Sequence, residues 1–186
     1  MIKRRSIRIK VFQALYSFEH SNNEPINNFS KQLKERIYSI KEIFLFNLLM
    51  IQSIGDAIEN EASLIANKHI KIEEDKLFND KFASNIFIKY LKNDEGFQEL
   101  VKSYKLADKL DDAITQKFYK SFKESEAYTK YLASDGLFDV KEDLALIKYL
   151  FKELFLQNDD YHNLIQDNWS NWIDDAALIS SSLITT

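Results

Sequence analysis

The 186-residue chain has 45% hydrophobic and 13% aromatic residues, three glycines, one proline and no cysteine. This composition supplies a large core, and it excludes both intrinsic disorder and the turn-rich all-β folds. Because cysteine is absent, disulfide scaffolds, thiolate zinc sites and cysteine nucleophiles are excluded as well.

The net charge of -4 is unevenly distributed along the chain. Residues 1–18 contain five basic side chains and no acidic one, whereas the other 168 residues contain 20 basic and 29 acidic side chains. A basic arm on an acidic body attracts a polyanion at one end and repels it elsewhere. The asymmetry predicts a focused anion-binding site near the N-terminus. A basic arm that serves only solubility and an organelle transit peptide are the two alternatives.

The first predicted element is a helix over residues 6–19. Ile7, Val11, Leu15 and Phe18 recur at spacings of four, four and three residues. This spacing is typical of a helix with one apolar side, so we expect these four side chains to be buried.

Three arginines stand at the start of this helix. Arg4 and Arg8 lie one above the other, and Arg5 is about 100° round the axis. Cations at a helix N-terminus oppose the helix dipole and cost about 0.3–1 kcal/mol each when exposed. A function is therefore a more economical explanation for the cluster than helix stability.

A helical pattern of apolar residues continues for about 40 residues, over 26–66, and Gly55 is expected to bend or divide this helix. Hydrophobic side chains surround the helix near residues 43–51, which predicts the centre of the core. A polar connection over 67–81 follows. Further helices are expected near 82–93, 97–106, 111–133, 139–157, 159–167 and 173–186.

The predicted fold class is all-α, a helical bundle of antiparallel helical hairpins. Residues 1–70 are expected to form an N-terminal helical region with the basic arm, and residues 71–186 an additional helical region packed on it. One continuous domain is the alternative. The longest dense apolar run, Ile43–Ile51, is far shorter than the roughly 20 residues of a bilayer span. The sequence therefore predicts no transmembrane helix and a cytoplasmic, reducing setting.

Residues that could support catalysis are scattered. The three histidines are far apart, none has a second histidine three or four residues away, and we expect each to be a surface or boundary residue. These are His20, His69 and His162. No glycine-rich phosphate loop is present. The sequence therefore predicts no catalytic residue, no metal site, no cofactor and no enzymatic activity.

Acidic doublets and tryptophans have structural explanations. The doublets stand at predicted helix starts, where capping and dipole compensation favour carboxylates. They are Asp111-Asp112, Asp159-Asp160 and Asp174-Asp175. Trp169 and Trp172 are expected to be packing anchors rather than base-stacking residues.

A more specific motif follows the arginines: Arg4-Arg-Ser-Ile-Arg8 precedes Phe12-Gln-Ala-Leu-Tyr-Ser-Phe18. This pattern resembles the opening helix of the NusB family of transcription antitermination factors, in which an arginine cluster precedes a Q-A-L-Y-x-aromatic motif at the same distance. Close similarity covers about 20 residues. The long helix over 26–66 and the pattern near residue 97 resemble, more loosely, the long-form members with extra helices in mid-chain.

The resemblance implies an all-α fold and binding of boxA-type single-stranded RNA. It also implies two partners, the ribosomal protein NusE and the transcription elongation complex, in antitermination of ribosomal RNA synthesis. On this hypothesis Arg4, Arg5 and Arg8 contact phosphates and bases, and Lys3 and Lys10 give electrostatic support.

The motif residues Gln13, Leu15 and Tyr16 are assigned to structure, with the Tyr16 ring packed and its hydroxyl bonded. Family members also carry an F-V-N-G-V-L-like segment that has no counterpart in this sequence. The chain is therefore expected to be either a fragment or a member whose second half has diverged.

Two alternative functions remain. The first is that the chain is similar to the NusB-like RNA-binding appendage of some RNA cytosine methyltransferases, although no glycine-rich cofactor-binding segment lies within the 186 residues. It also fits a protein–protein interaction module whose basic arm meets an acidic partner. The sequence predicts neither the RNA sequence recognised nor the oligomeric state.

Overall fold

A computed structural model describes residues 4–21, 25–70, 72, 78–134 and 139–185. Within these ranges there is no β-strand, and the predicted all-α, helical-bundle class is confirmed. The α-helices are α1 (Arg4–Glu19), α2 (Ile26–Ala66), α3 (Ile86–Asn93), α4 (Glu95–Ser103), α5 (Asp112–Lys123), α6 (Glu126–Ala133), α7 (Val140–Tyr149), α8 (Asp159–Asn168) and α9 (Trp172–Thr185). Short 3-10 helices cover Lys81–Ser84 and Leu106–Lys109, and a π-helical turn, Leu150–Phe155, continues α7.

Side-chain caps explain where several helices begin. The Asp111 carboxylate accepts a hydrogen bond from the Ile114 amide at 2.9 Å, which confirms the predicted capping role of this residue. The predicted helix over 111–133 is instead two helices, because the Ser125 hydroxyl accepts from the Tyr128 amide and begins α6. In the same way Asn85 caps α3 and separates it from the preceding 3-10 helix.

The described chain divides into two compact units. Unit 1 combines residues 1–44 with residues 165–186, and unit 2 comprises residues 45–164. The sequence suggested a boundary near residue 70, whereas in the structure α2 contributes residues to both units and the C-terminal helix belongs with the N-terminal one.

The core of unit 2 is largely aromatic. The ring centroids of Phe82 and Phe122 are 4.8 Å apart, and those of Phe118 and Phe155 are 4.9 Å apart. All four side chains are buried. Aromatic pairs at such distances add to the stability that burial of their area provides.

Two buried polar side chains of unit 2, those of Asn47 and Asp143, are paired. Asn47, which interrupts the apolar run of α2, accepts a hydrogen bond at 2.8 Å from the Tyr161 hydroxyl. The buried Asp143 carboxylate accepts from the Tyr131 hydroxyl at 2.6 Å and from the Ile86 amide at 2.8 Å. Burial raises the pKa of both tyrosines, so each keeps its proton and remains a donor.

Helix α2 contains one candidate membrane span by length and composition, within Asn27–Ala66. Half of its most apolar 18-residue window is buried inside the protein, and a core helix of a soluble protein meets the same criterion. The expectation that the chain has no transmembrane helix therefore stays a prediction.

Gly55 lies inside the continuous helix α2 and does not divide it. A Cβ atom at this position would lie 2.7 Å from Cγ2 of Ile88, which is fully buried. We expect Gly55→Ala to destabilise the protein by about 1–3 kcal/mol, as overpacking of a core does. Urea unfolding measures the change. In an Ile88→Ala background the same substitution should cost less, and equal costs in both backgrounds would contradict the packing role of Gly55.

Lys105 follows α4 with φ 50° and ψ 41°, in the left-handed region. This conformation is unfavourable for a residue with a Cβ atom. Lys105→Gly should therefore stabilise the protein by about 0.5–1 kcal/mol. The matched control is Lys102→Gly within α4, which should destabilise it by about 1 kcal/mol. Thermal unfolding compares the stabilities of the two variants. Changes of the same sign would refute the claim that Lys105 is strained in the left-handed region.

Candidate nucleic-acid interface

The described arginines of the predicted cluster lie on the surface of α1. Arg4 and Arg8 are both exposed, and no described carboxylate forms an ion pair with either guanidinium. Lys3 and the side chain of Arg5 lie outside the described residues. Two of the five predicted contact residues are therefore placed where a polyanion can reach them.

Lys10 is not part of this surface. Its side chain is buried, and Nζ lies 2.7 Å from Oδ1 of Asp175, which is also buried. Asp175 lies in α9, and both residues belong to unit 1. The prediction that Lys10 supports RNA binding at the surface is therefore wrong, because its charge is neutralised inside the protein. Asp175 lies inside α9, which begins at Trp172, so it does not cap this helix as predicted.

The predicted buried stripe of α1 is also corrected. Leu15 is 61% exposed and Ile7 is 37% exposed, while Val11 and Phe18 are half-buried. The only described α1 side chain that is fully buried is Lys10, which lies about 90° round the helix from the centre of that stripe. Lys10 therefore lies on the inward side of α1, and part of the apolar stripe stays in solvent.

The outward side of α1 combines cations with large apolar side chains. At about 100° per residue, five exposed residues lie within an arc of roughly 120°. These residues, which we call the α1 face, are Arg4, Arg8, Phe12, Leu15 and Tyr16. The exposed fractions of Phe12 and Tyr16 are 69% and 59%. Ile9, at 49%, borders the face.

The motif residues have different surroundings from those expected. Leu15 is exposed, so its assignment to packing is wrong, whereas Gln13 is half-buried. Tyr16 is exposed as well, although its ring has an aromatic neighbour. The Tyr16 ring lies against the His20 ring, with centroids 4.1 Å apart and planes 31° from parallel. The His20 ring is held in turn by its own Nδ1 atom, which lies 2.9 Å from the backbone carbonyl oxygen of Tyr16. The two rings thus form an exposed aromatic pair at the end of α1.

Other contacts in unit 1 fix the end of α1 and the start of α9. The rings of Phe18 and Phe29 meet edge to face at 5.0 Å. Trp169 and Trp172 are buried, and Nε1 of Trp169 donates to Glu42 at 3.0 Å, which confirms both tryptophans as packing anchors. Neither tryptophan is available to stack on a base.

Unit 2 has a surface groove, but the lysine in it is already ion-paired. A groove of about 730 Å³ is lined by α2 and α5, and Nζ of Lys123 lies in it 2.8 Å from both carboxylate oxygens of Glu61. Within the described ranges, no group of three or more histidine and acidic side chains is positioned to hold a metal ion.

Comparison with protein-family models, with curated proteins and with solved structures gives no match. The chemistry of the α1 face is thus the basis for assigning a function. The face offers two guanidinium groups and two exposed rings, and its nearest acidic residue along the helix is Glu19. Guanidinium groups bind phosphates and stack on bases, and rings stack on unpaired bases.

Proposed function

We propose that this chain binds single-stranded RNA through the α1 face and acts as an antitermination factor in ribosomal RNA transcription. The observation that carries the proposal is the presence of Arg4 and Arg8 beside Phe12 and Tyr16 on one exposed side of α1. Neither of these guanidinium groups is neutralised by a carboxylate in the part of the chain that the structure describes. The rest of the chain is acidic, so an RNA strand is attracted to this end and repelled elsewhere.

The spacing of the α1 face suits a strand that runs along the helix. Arg4, Arg8, Phe12 and Tyr16 are each four residues apart, which places them about 6 Å apart along the axis. Arginines at one end can hold phosphates while the rings accept bases. One side of one helix thus offers both kinds of contact.

The exposed rings favour unpaired RNA over a duplex. Bases within a duplex are stacked on each other, and the major groove of A-form RNA is too deep and narrow for side chains to read. Phe12 and Tyr16 gain stacking partners only when bases are splayed out. The substrate class of the proposal is therefore a single-stranded segment.

The small number of phosphate contacts that the α1 face can make also supports the need for a partner. Two or three phosphate contacts give weak, salt-sensitive binding on a single strand. The resemblance to NusB factors favours boxA-type RNA, the ribosomal protein NusE and the elongation complex as the setting, in the cytoplasm and without a cofactor. Joint binding with a second protein would supply the remaining affinity.

The arginines are tested by the salt dependence of binding. For Arg4→Ala/Arg8→Ala we expect weaker binding of a boxA-like single strand. The slope of log affinity against log salt should become shallower by about 0.7 for each lost phosphate contact. Fluorescence anisotropy over a salt series measures both quantities, and Arg5→Ala is then added to give the triple variant. Lys102→Ala/Lys120→Ala, which removes two exposed cations from unit 2, is the matched control. Unchanged affinity and slope in the arginine variants would overturn the proposal.

The rings are tested separately, because stacking does not depend on salt in the same way. Phe12→Ala/Tyr16→Ala should weaken single-strand binding by about 1–3 kcal/mol for each base that loses its stacking partner. The salt slope should stay that of the parent protein. Tyr38→Ala removes a tyrosine of similar exposure from α2 and is the control. Parental affinity in the double variant would show that the rings are not part of the RNA site.

A protein partner is the second candidate function, and the exposed apolar side chains of α1 favour it. An amphipathic helix with acidic residues would match both the apolar side chains and the arginines. In that case the protein would co-purify with a polypeptide and show a low ratio of 260 to 280 nm absorbance. Single-strand binding would then be no stronger for the parent than for the arginine variants.

A further inference from the structure

The buried ion pair of unit 1 has a role that packing alone does not explain. Among the described side chains of α1, Lys10 is the only fully buried one, and no described apolar side chain of this helix is fully buried. Lys10 and Asp175 are 4% and 2% exposed at the side chain, with 2.7 Å between Nζ and Oδ1. The one fully buried contact that the described side chains of α1 make is therefore ionic, beside the edge-to-face contact of Phe18 with Phe29 near the end of the helix.

A different rotation of α1 would bury more apolar area. The apolar stripe of Ile7, Val11, Leu15 and Phe18 is centred about 90° from Lys10. In the observed rotation Leu15 is 61% exposed. Turning the helix to bury Leu15 would gain hydrophobic contact but would expose or unpair Lys10.

The competing rotation would also move the arginines. Arg4 lies only about 25° from the centre of the apolar stripe, and Arg8 about 65° from it. Burying the stripe would therefore turn Arg4 inward and bring Arg8 to the edge of the buried side. Of these two rotations, the one that buries Lys10 leaves both Arg4 and Arg8 facing solvent.

We propose that Lys10 and Asp175 are positioning residues for the α1 face, because their buried ion pair selects the rotation of α1 that presents Arg4 and Arg8. This inference rests on the proposed function for its consequence in RNA binding. The rotation itself is independent of RNA. Buried polar pairs that specify register are known in helical assemblies, where a unique arrangement is chosen at some cost in stability.

The absence of cysteine from the chain allows a direct test of rotation. Single-cysteine reporters are made with Leu15→Cys on the exposed side and Gln13→Cys on the half-buried side. Each is combined with Lys10→Ala/Asp175→Ala, which removes both charges and leaves the net charge unchanged. Rates of thiol modification are measured for the folded reporter proteins, whereas affinity for a boxA-like single strand is measured for the corresponding proteins without a reporter cysteine.

We expect the alanine pair to slow modification at position 15, to speed it at position 13 and to lower RNA affinity by about tenfold. The charge-reversed pair, Lys10→Glu/Asp175→Lys, should restore the parental rates and affinity. Lys31→Ala/Glu35→Ala removes an ion pair of unit 1 whose side chains are 80% and 63% exposed, and it should change nothing.

Unchanged modification rates in the alanine pair would overturn the positioning role. If that variant does not fold, the charge-reversed pair decides: parental rates support the role, and altered rates refute it. If the modification rates at positions 13 and 15 both shift but the parent protein binds no RNA, the positioning role stands and the proposed function is removed. Parental RNA binding with unchanged modification rates would leave the proposed function standing and remove the positioning role.

Discussion

The orientation of α1 depends on one buried ion pair. Taking Lys10 and Asp175 out of water costs several kcal/mol for each ion, and their attraction at 2.7 Å offsets this cost only when the geometry is good. Such a pair is therefore weak as a source of net stability, but a rotation that separates the two groups leaves a buried charge unpaired and is strongly disfavoured. Its consequence in this protein is a helix that keeps a cation inside and leaves leucine and aromatic side chains outside.

The helical framework could be predicted from the sequence because its signals are local. The apolar periodicity of α2 predicted both of its ends, 26 and 66, and the Asp111 cap is visible as an aspartate before a helical pattern. The division at Ser125 was missed although serine is a favoured cap, because the apolar pattern continues across it without a break. Local capping prevailed over periodicity at that point.

The composition of the α1 face could not be predicted, because the residue that fixes it is distant in sequence. Periodicity placed Leu15 in the core, whereas the structure places Lys10 there, opposite a carboxylate near the other end of the chain. No local pattern in α1 indicates that Asp175 will be its partner. The resemblance to an antitermination factor identified Tyr16 as a motif residue, but its exposure and its contact with His20 are visible only in three dimensions.

On the proposed function, the charge pattern and the ion pair together would make a weak site selective. An acidic body would repel a nucleic acid strand, so binding would be restricted to the end that carries Arg4 and Arg8. If α1 rotated freely, these side chains would spend part of their time turned toward the protein, and the apparent affinity would fall by the fraction of the competent state. Fixing the rotation removes that loss without adding a contact. A short helical face with two cations and two rings can then discriminate an unpaired strand from other polyanions, provided that its orientation is set in advance.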